Sequence, residues 1–138
     1  MALMTAAEIN TIAFLTPIDP KLILEEIIIS AQSKYIVPVI TQPIYDDLSV
    51  HPAIYTKLVN DYIKPYLAFC VKLLLYNQYL TETGLISIPT QQRWDVVQEL
   101  VVITKAKRAL LVSHLSTSAY PLYVLPLNNR ITGFMITQ

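Results

Sequence analysis

Two histidines (His51 and His114), one cysteine (Cys70) and ten carboxylates are what this chain offers for acid–base, nucleophilic or metal chemistry. A zinc site groups imidazoles and thiolates at ligand spacing, as in H-E-x-x-H, and no such spacing occurs. The carboxylates come as neighbours, Glu25–Glu26 and Asp46–Asp47. Adjacent helical residues point about 100° apart, so neither pair forms a shared acid–base site by itself. Ser113–His114 is the one nucleophile–base adjacency, and nothing in the sequence orients it. G-x-S-x-G, P-loop and dinucleotide-binding motifs are absent. With only Gly84 and Gly133, a phosphate-cradling glycine loop cannot be built. The expectation is a non-enzymatic protein with no catalytic residue, no metal and no cofactor.

The surface chemistry points the same way. Charged residues are 14% of the chain and hydrophobic residues 54%, against a usual charged share of about 25%. Such a chain either enters a membrane or turns much of its surface toward other protein. The most apolar run, residues 66–80, contains Lys72, Asn77 and Gln78 and falls short of the roughly 20 residues that a bilayer span needs. The N-terminal stretch lacks a basic region and carries Glu8, so it makes a poor signal peptide. Large subunit interfaces remain, because an obligate interface resembles a core cut in half. Net charge is zero, and Lys105, Lys107 and Arg108 point in three directions on a helical wheel, which leaves no basic stripe for nucleic acid. Cys70, in the middle of the most apolar helix, reads as a small buried hydrophobe.

These features must sit on helices, since two glycines cannot supply the tight turns of a sheet protein. Asp19 and Pro20 start a helix that runs to Tyr35, with Asp19 as N-cap and Pro20 in the first turn. On its wheel Ile23, Leu24, Ile27, Ile28, Ala31 and Tyr35 form one arc. Lys21, Glu25, Glu26, Ser30, Gln32 and Ser33 form the other. Leu22 and Ile29, seven apart, sit together on the polar side and mark a second contact surface, toward another subunit or within the chain. Pro38 ends this helix by pushing its predecessor out of the α region. Pro43 starts a short one near Thr41 and Gln42, and Pro65 kinks or divides the long apolar helix that follows Pro52. Gly84 terminates that helix. Thr90 caps a final long helix, along which Trp94, Val101 and Val112 share a direction. Asn128–Asn129 gives a turn signal with a strand-like run after it. There is no internal repeat. The expected fold is all-α, a bundle of four to five helices. An N-terminal arm (1–17) precedes the helical domain (18–118), and a C-terminal arm (119–138) follows, its end allowing a short β-hairpin.

The pattern "SAQSKYIVPVI", then "PIYDDL", then "YTKLVNDYIKPYLAFCVKLLLYNQY" resembles small head–tail connector (adaptor) proteins of tailed bacteriophages, notably of crAss-like phages. The matching positions are Tyr35, Ile36, Pro38, Tyr45, Leu48, Tyr62, Ile63 and Pro65, and the likeness covers about residues 18–115. The family often has a glycine after its Pro-x-hydrophobic turn, where this chain has Thr41. The resemblance implies a virion protein at the capsid–tail junction. It would be a homo-oligomeric, twelvefold ring that binds the portal protein on one side and tail or further adaptor proteins on the other. DNA would pass through only as cargo. A tail-completion protein or another helical subunit of a symmetric assembly is the alternative. The positions expected at subunit contacts are Leu22, Ile29, Tyr35, Pro38, Ile40, Pro43, Tyr45, Tyr120, Tyr123 and Phe134.

Overall fold

The computed structural model describes residues 2–14, 18–76, 90–117 and 120–123, with the side chains of 90–94 excepted. Among these residues there are five helices and no strand. They are α1 (Ala6–Ala13), α2 (25–40), α3 (Gln42–Val50), α4 (56–75) and α5 (Thr90–Leu115), with a single 3-10 turn at Pro20–Leu22. An all-α bundle is what the sequence predicts. The hairpin and the Gly84 terminator lie outside the described residues.

Both long interior helices contain a proline, and both solve it the same way. Pro38 does not end α2, contrary to expectation. The helix widens into a π turn at Gln32–Ile36 and resumes over Val37–Ile40. In α4 the π turn is Val59–Ile63, and the α-helix resumes at Lys64–Leu75 with Pro65 in its first turn. Proline has no N–H, and its ring collides with the carbonyl four residues back. In each helix the residue before proline therefore reaches one residue further back: Val37 N–H bonds Gln32 O, and Lys64 N–H bonds Val59 O. The extra residue in the turn relieves the collision and keeps the axis running. The local sequence is the same at both sites, Tyr35-Ile36-x-Pro38 and Tyr62-Ile63-x-Pro65.

The widened turn also shifts the helical phase. Gln32, expected on the solvent side, is fully buried, while Ile36, Val39 and Ile40 reach the core. Gln32 Oε1 accepts from Leu3 N–H at 2.6 Å and Nε2 donates to Tyr45 OH at 3.0 Å. One buried amide thus ties the N-terminal segment and α3 to α2. Asp19 caps only the 3-10 turn, through Lys21 N–H, and α2 begins later, at Glu25. Leu22 therefore does not sit on the helix with Ile29, and the stacked pair expected there does not form.

Helix α4 is the centre, as its nearly uninterrupted apolar surface demands. Ile63, Tyr66, Leu67, Ala68, Cys70, Val71 and Leu75 are all buried, each large aliphatic contributing roughly 1.5–3 kcal/mol. Helices α1, α2 and α5 pack closely against it. Residues 6–13, expected within an arm, form a bundle helix that places Ile9 and Ala13 in the core. Thr5 and Glu8 close a capping box around its first turn. Glu8 Oε2 also accepts from Lys64 Nζ at 2.7 Å, and Lys72 Nζ donates to Ala13 O at 2.8 Å. Both ends of α1 are held by lysines of α4. Along α5 the buried stripe is Leu100, Thr104, Leu111 and Leu115. Val101 and Val112 flank that stripe, and the Trp94 side chain is outside the described residues.

Helix α2 stops at Thr41, whose backbone sits at φ 76° and ψ 156°. Only glycine enters that region without crowding its Cβ, and a β-branched residue there stores about 1–3 kcal/mol. Thr41 Oγ1 is also buried with no hydrogen-bond partner among the described residues. Thr41→Gly should therefore raise stability by about 1 kcal/mol after its added chain entropy is subtracted, a gain of several degrees in Tm. Thr41→Ala keeps the Cβ and should gain less. Urea unfolding decides the point, and a glycine variant weaker than the parent would show that the backbone here is not strained.

Candidate functional site

The positions expected at subunit contacts divide into three groups. Ile40 and Tyr120 are buried in the chain's own core. Ile40 is buried because the π turn carries α2 past Pro38 and rotates this residue inward. Leu22, Ile29, Tyr35, Tyr45 and Tyr123 are half-buried, and Tyr35, Tyr45 and Tyr123 pack on the core. Pro38 and Pro43 are exposed. Phe134 lies outside the described residues.

Tyr120 is held by His114 of α5 and by Tyr55 of the turn before α4, which are braced in turn by Tyr62 of α4 and Asp47 of α3. Its ring stacks on Tyr55, with centroids 6.0 Å apart, and meets His114 edge-on at 5.2 Å. Its hydroxyl lies 2.7 Å from His114 Nε2. His114 in turn lies flat on Tyr62 at 4.1 Å. Tyr55 OH donates to Asp47 Oδ2 at 2.7 Å, and Asp47 Oδ1 lies 2.7 Å from His51 Nδ1. The chain that leaves α5 is thereby clamped onto α4 and, through Asp47, onto α3. His114, near the end of α5, packs against two tyrosines and so serves the fold.

The electrostatics follow this geometry. The hydrogen bond from Tyr55, then that from His51, holds the Asp47 carboxyl below its ordinary 3.8. Burial first, and the Asp47 carboxylate second, push the Tyr55 hydroxyl up to about 12. Hydrogen bonding to Lys64 holds Glu8 below its ordinary 4.5. Burial lowers the Lys72 ammonium against the opposing pull of Glu99, and its cation lies 4.9 Å from the centre of the Phe14 ring. Burial pushes the Cys70 thiol up to about 12, far from a reactive thiolate. Of the basic run, Lys107 turns inward over Phe69 while Lys105 and Arg108 stay exposed. Asp47–His51 is the one carboxylate–imidazole pair within 4 Å among the described residues, and His51 is 58% exposed. No three metal-binding side chains converge among the described residues. No described helix is long and apolar enough to cross a membrane.

Among the polar residues that face outward there are also exposed apolar groups. On α5, Val102 is 67% and Leu110 56% exposed, and Ala106 and Ala109 are exposed beside them. Spacings of four, seven and eight residues put all four on one face, opposite the buried stripe. A second group gathers near the clamp. Val50 and Ile54 are exposed around the α3–α4 turn, and Leu122 is exposed two residues beyond Tyr120. Stacking of Tyr120 on Tyr55 brings the chain carrying Leu122 to the turn carrying Ile54. Wheel analysis missed the α5 face because it weighed bulky residues and passed over alanines. Comparison of the chain with protein-family models, with curated proteins and with solved structures finds no match in any of the three.

Two expectations follow. Asp47 and Glu8 are depressed, so their stabilisation is present above their ordinary values and is lost as pH falls through the lower folded values. Tyr55 is raised, so its share is present below its ordinary 10.0 and is lost as pH climbs toward 12. Asp47→Asn should therefore flatten both limbs of a plot of urea midpoint against pH. An unchanged plot would mean that Asp47 makes neither bond in solution. Tyr120→Phe should cost about 1 kcal/mol through the lost hydroxyl contact. Tyr120→Ala should cost more and open the chain after Leu115 to protease, which mass spectrometry of the fragments detects.

Proposed function

We propose that the protein is a structural subunit of a symmetric assembly and, within that class, a head–tail connector that forms a ring between portal and tail. The observation that carries this reading is the outward face of α5. Val102, Ala106, Ala109 and Leu110 stay exposed on a chain with few charges to solvate its surface. Contiguous exposed apolar surface on a soluble chain marks a contact site. Each subunit would pack this face on a surface of its neighbour, and head-to-tail contacts of that kind close into rings when the rotation fits. The resemblance to connector proteins supports the finer reading. So does the glycine-type backbone at Thr41, the turn where those proteins often carry glycine. The ring would surround the channel through which DNA passes, with the portal and tail or adaptor proteins as its partners.

The test mixes the purified protein with the portal protein and images the complexes, using the wild type and the double variant Val102→Glu/Leu110→Glu. The wild type should form rings on the portal. The variant should keep the monomer's Tm and form none, since both side chains are exposed in the monomer. A variant that still forms rings would remove the α5 face from the interface. Wild-type protein that ignores the portal and binds intact tails would assign tail completion instead.

A further inference from the structure

The Thr41 junction divides the subunit into two packing units, residues 2–40 and 42–123. α1 and α2 pack on α4, and the end of α2 meets α5. Named polar contacts cross the same divide: Glu8 with Lys64, Ala13 O with Lys72, and Gln32 with Tyr45. A single residue, Thr41, joins the two units, and it is the strained one.

Its hydrogen bonds are already those of a helix interior. Thr41 N–H bonds Val37 O at 2.9 Å, and Thr41 O accepts from Tyr45 N–H at 3.1 Å. Rotating Thr41 into the α region would relieve its Cβ, leave its N–H and carbonyl aligned with the helix axis, and join α2 and α3 into one helix over 25–50. At 1.5 Å per residue that helix is about 39 Å long. Pro43 would then lie inside it, where proline ordinarily breaks a helix. Pro38 and Pro65 lie inside helices of this same chain, each absorbed by a π turn. Straightening would pull Gln32 away from Tyr45 and lift the first unit off α4. The buried faces of both units would then need a substitute partner. A second copy straightened the same way offers identical surfaces, and a short strained hinge favours that exchange. An open groove of about 470 Å³ runs beside α3, lined by Tyr45, Leu48, Ser49, Thr56 and Val59 among others.

We infer that Thr41 is a hinge through which two copies of this chain exchange residues 2–40, forming a domain-swapped dimer in which α2 and α3 are one continuous helix. Every contact of the closed subunit is remade between copies, so the exchange gains the relief at Thr41 without losing core packing. The inference does not depend on the connector reading, because it concerns two copies of the chain with no portal present.

The native Glu8–Lys64 pair is the reporter. Both side chains are partly exposed and their charged atoms touch, so a water-soluble carbodiimide joins them as an amide with loss of water. Unlabelled and heavy-isotope-labelled protein are unfolded together and refolded at high concentration. Monomer and dimer are separated by gel filtration, each is cross-linked, and the Glu8–Lys64 peptides are read by mass spectrometry. Mixed-isotope peptides should appear in the dimer and not in the monomer. Thr41→Gly, which relaxes the closed form, should lower the dimer-to-monomer ratio on the order of tenfold. The inference is overturned if no dimer forms, if the dimer carries no mixed-isotope peptide, or if Thr41→Gly dimerises as readily as the parent.

Discussion

A proline nitrogen that cannot donate a hydrogen bond sets the geometry of this molecule. Pro38 and Pro65 each sit where a long helix must continue if the core is to be covered. In a strict α-helix each would face a carbonyl it cannot bond and cannot avoid. The chain answers with one extra residue per turn, at Gln32–Ile36 and again at Val59–Ile63. Everything after each widened turn is rotated relative to what precedes it. In α2 that rotation buries Ile40, and Gln32, buried at the start of the turn, is the node joining the N-terminal segment to α3. In α4 it lets one helix carry both Tyr62 of the clamp and the fully buried Leu67 and Val71.

The aromatic clamp and the strained junction act on the two ends of α3. At its start, Thr41 holds a conformation its side chain opposes. At its end, Asp47 accepts from Tyr55 and His51, and Tyr55 supports the ring of Tyr120. The helix is thus placed by polar and aromatic contacts at its rim and by Ile44 and Leu48 beneath it. Such an arrangement fixes the direction of α3 from both of its ends.

Much of the architecture was legible in the sequence. The circumference of residues 66–75, apolar except for Lys72, placed α4 at the centre and Cys70 inside it, and the scarcity of glycine pointed to helices throughout. What could not be read had specific causes. Gln32 goes to the polar side of the wheel by its type, although it lies one turn on from the buried Ile28, and Ile40 reads as part of a proline-broken segment and not of a continuing helix. The rule that proline ends helices is statistical, and here Val37 and Lys64 both precede proline with helical backbone. The capping box at Thr5 and Glu8 was visible in T-x-x-E, yet the absence of a clear apolar period hid the eight-residue helix behind it. The clamp could not have been found, because Asp47, Tyr55, Tyr62, His114 and Tyr120 meet only after α3, α4 and α5 are assembled. The outward face of α5 was missed for a simpler reason, that alanine carries little weight in a hydrophobic pattern and much in a flat surface.

Helix α1 has a consequence for how the chain is made. An eight-residue helix is marginal in water, and this one is secured at its start by Lys64 and at its end by Lys72, lysines that lie 56 and 59 residues further along. On a ribosome that adds roughly 5–20 residues per second, the first segment therefore emerges several seconds before its anchors exist. During that interval Ile9 and the other side chains that will enter the core have no partner. Helix α1 is thus synthesised before its anchors and fixed only after them, and the order of translation runs against the order of docking.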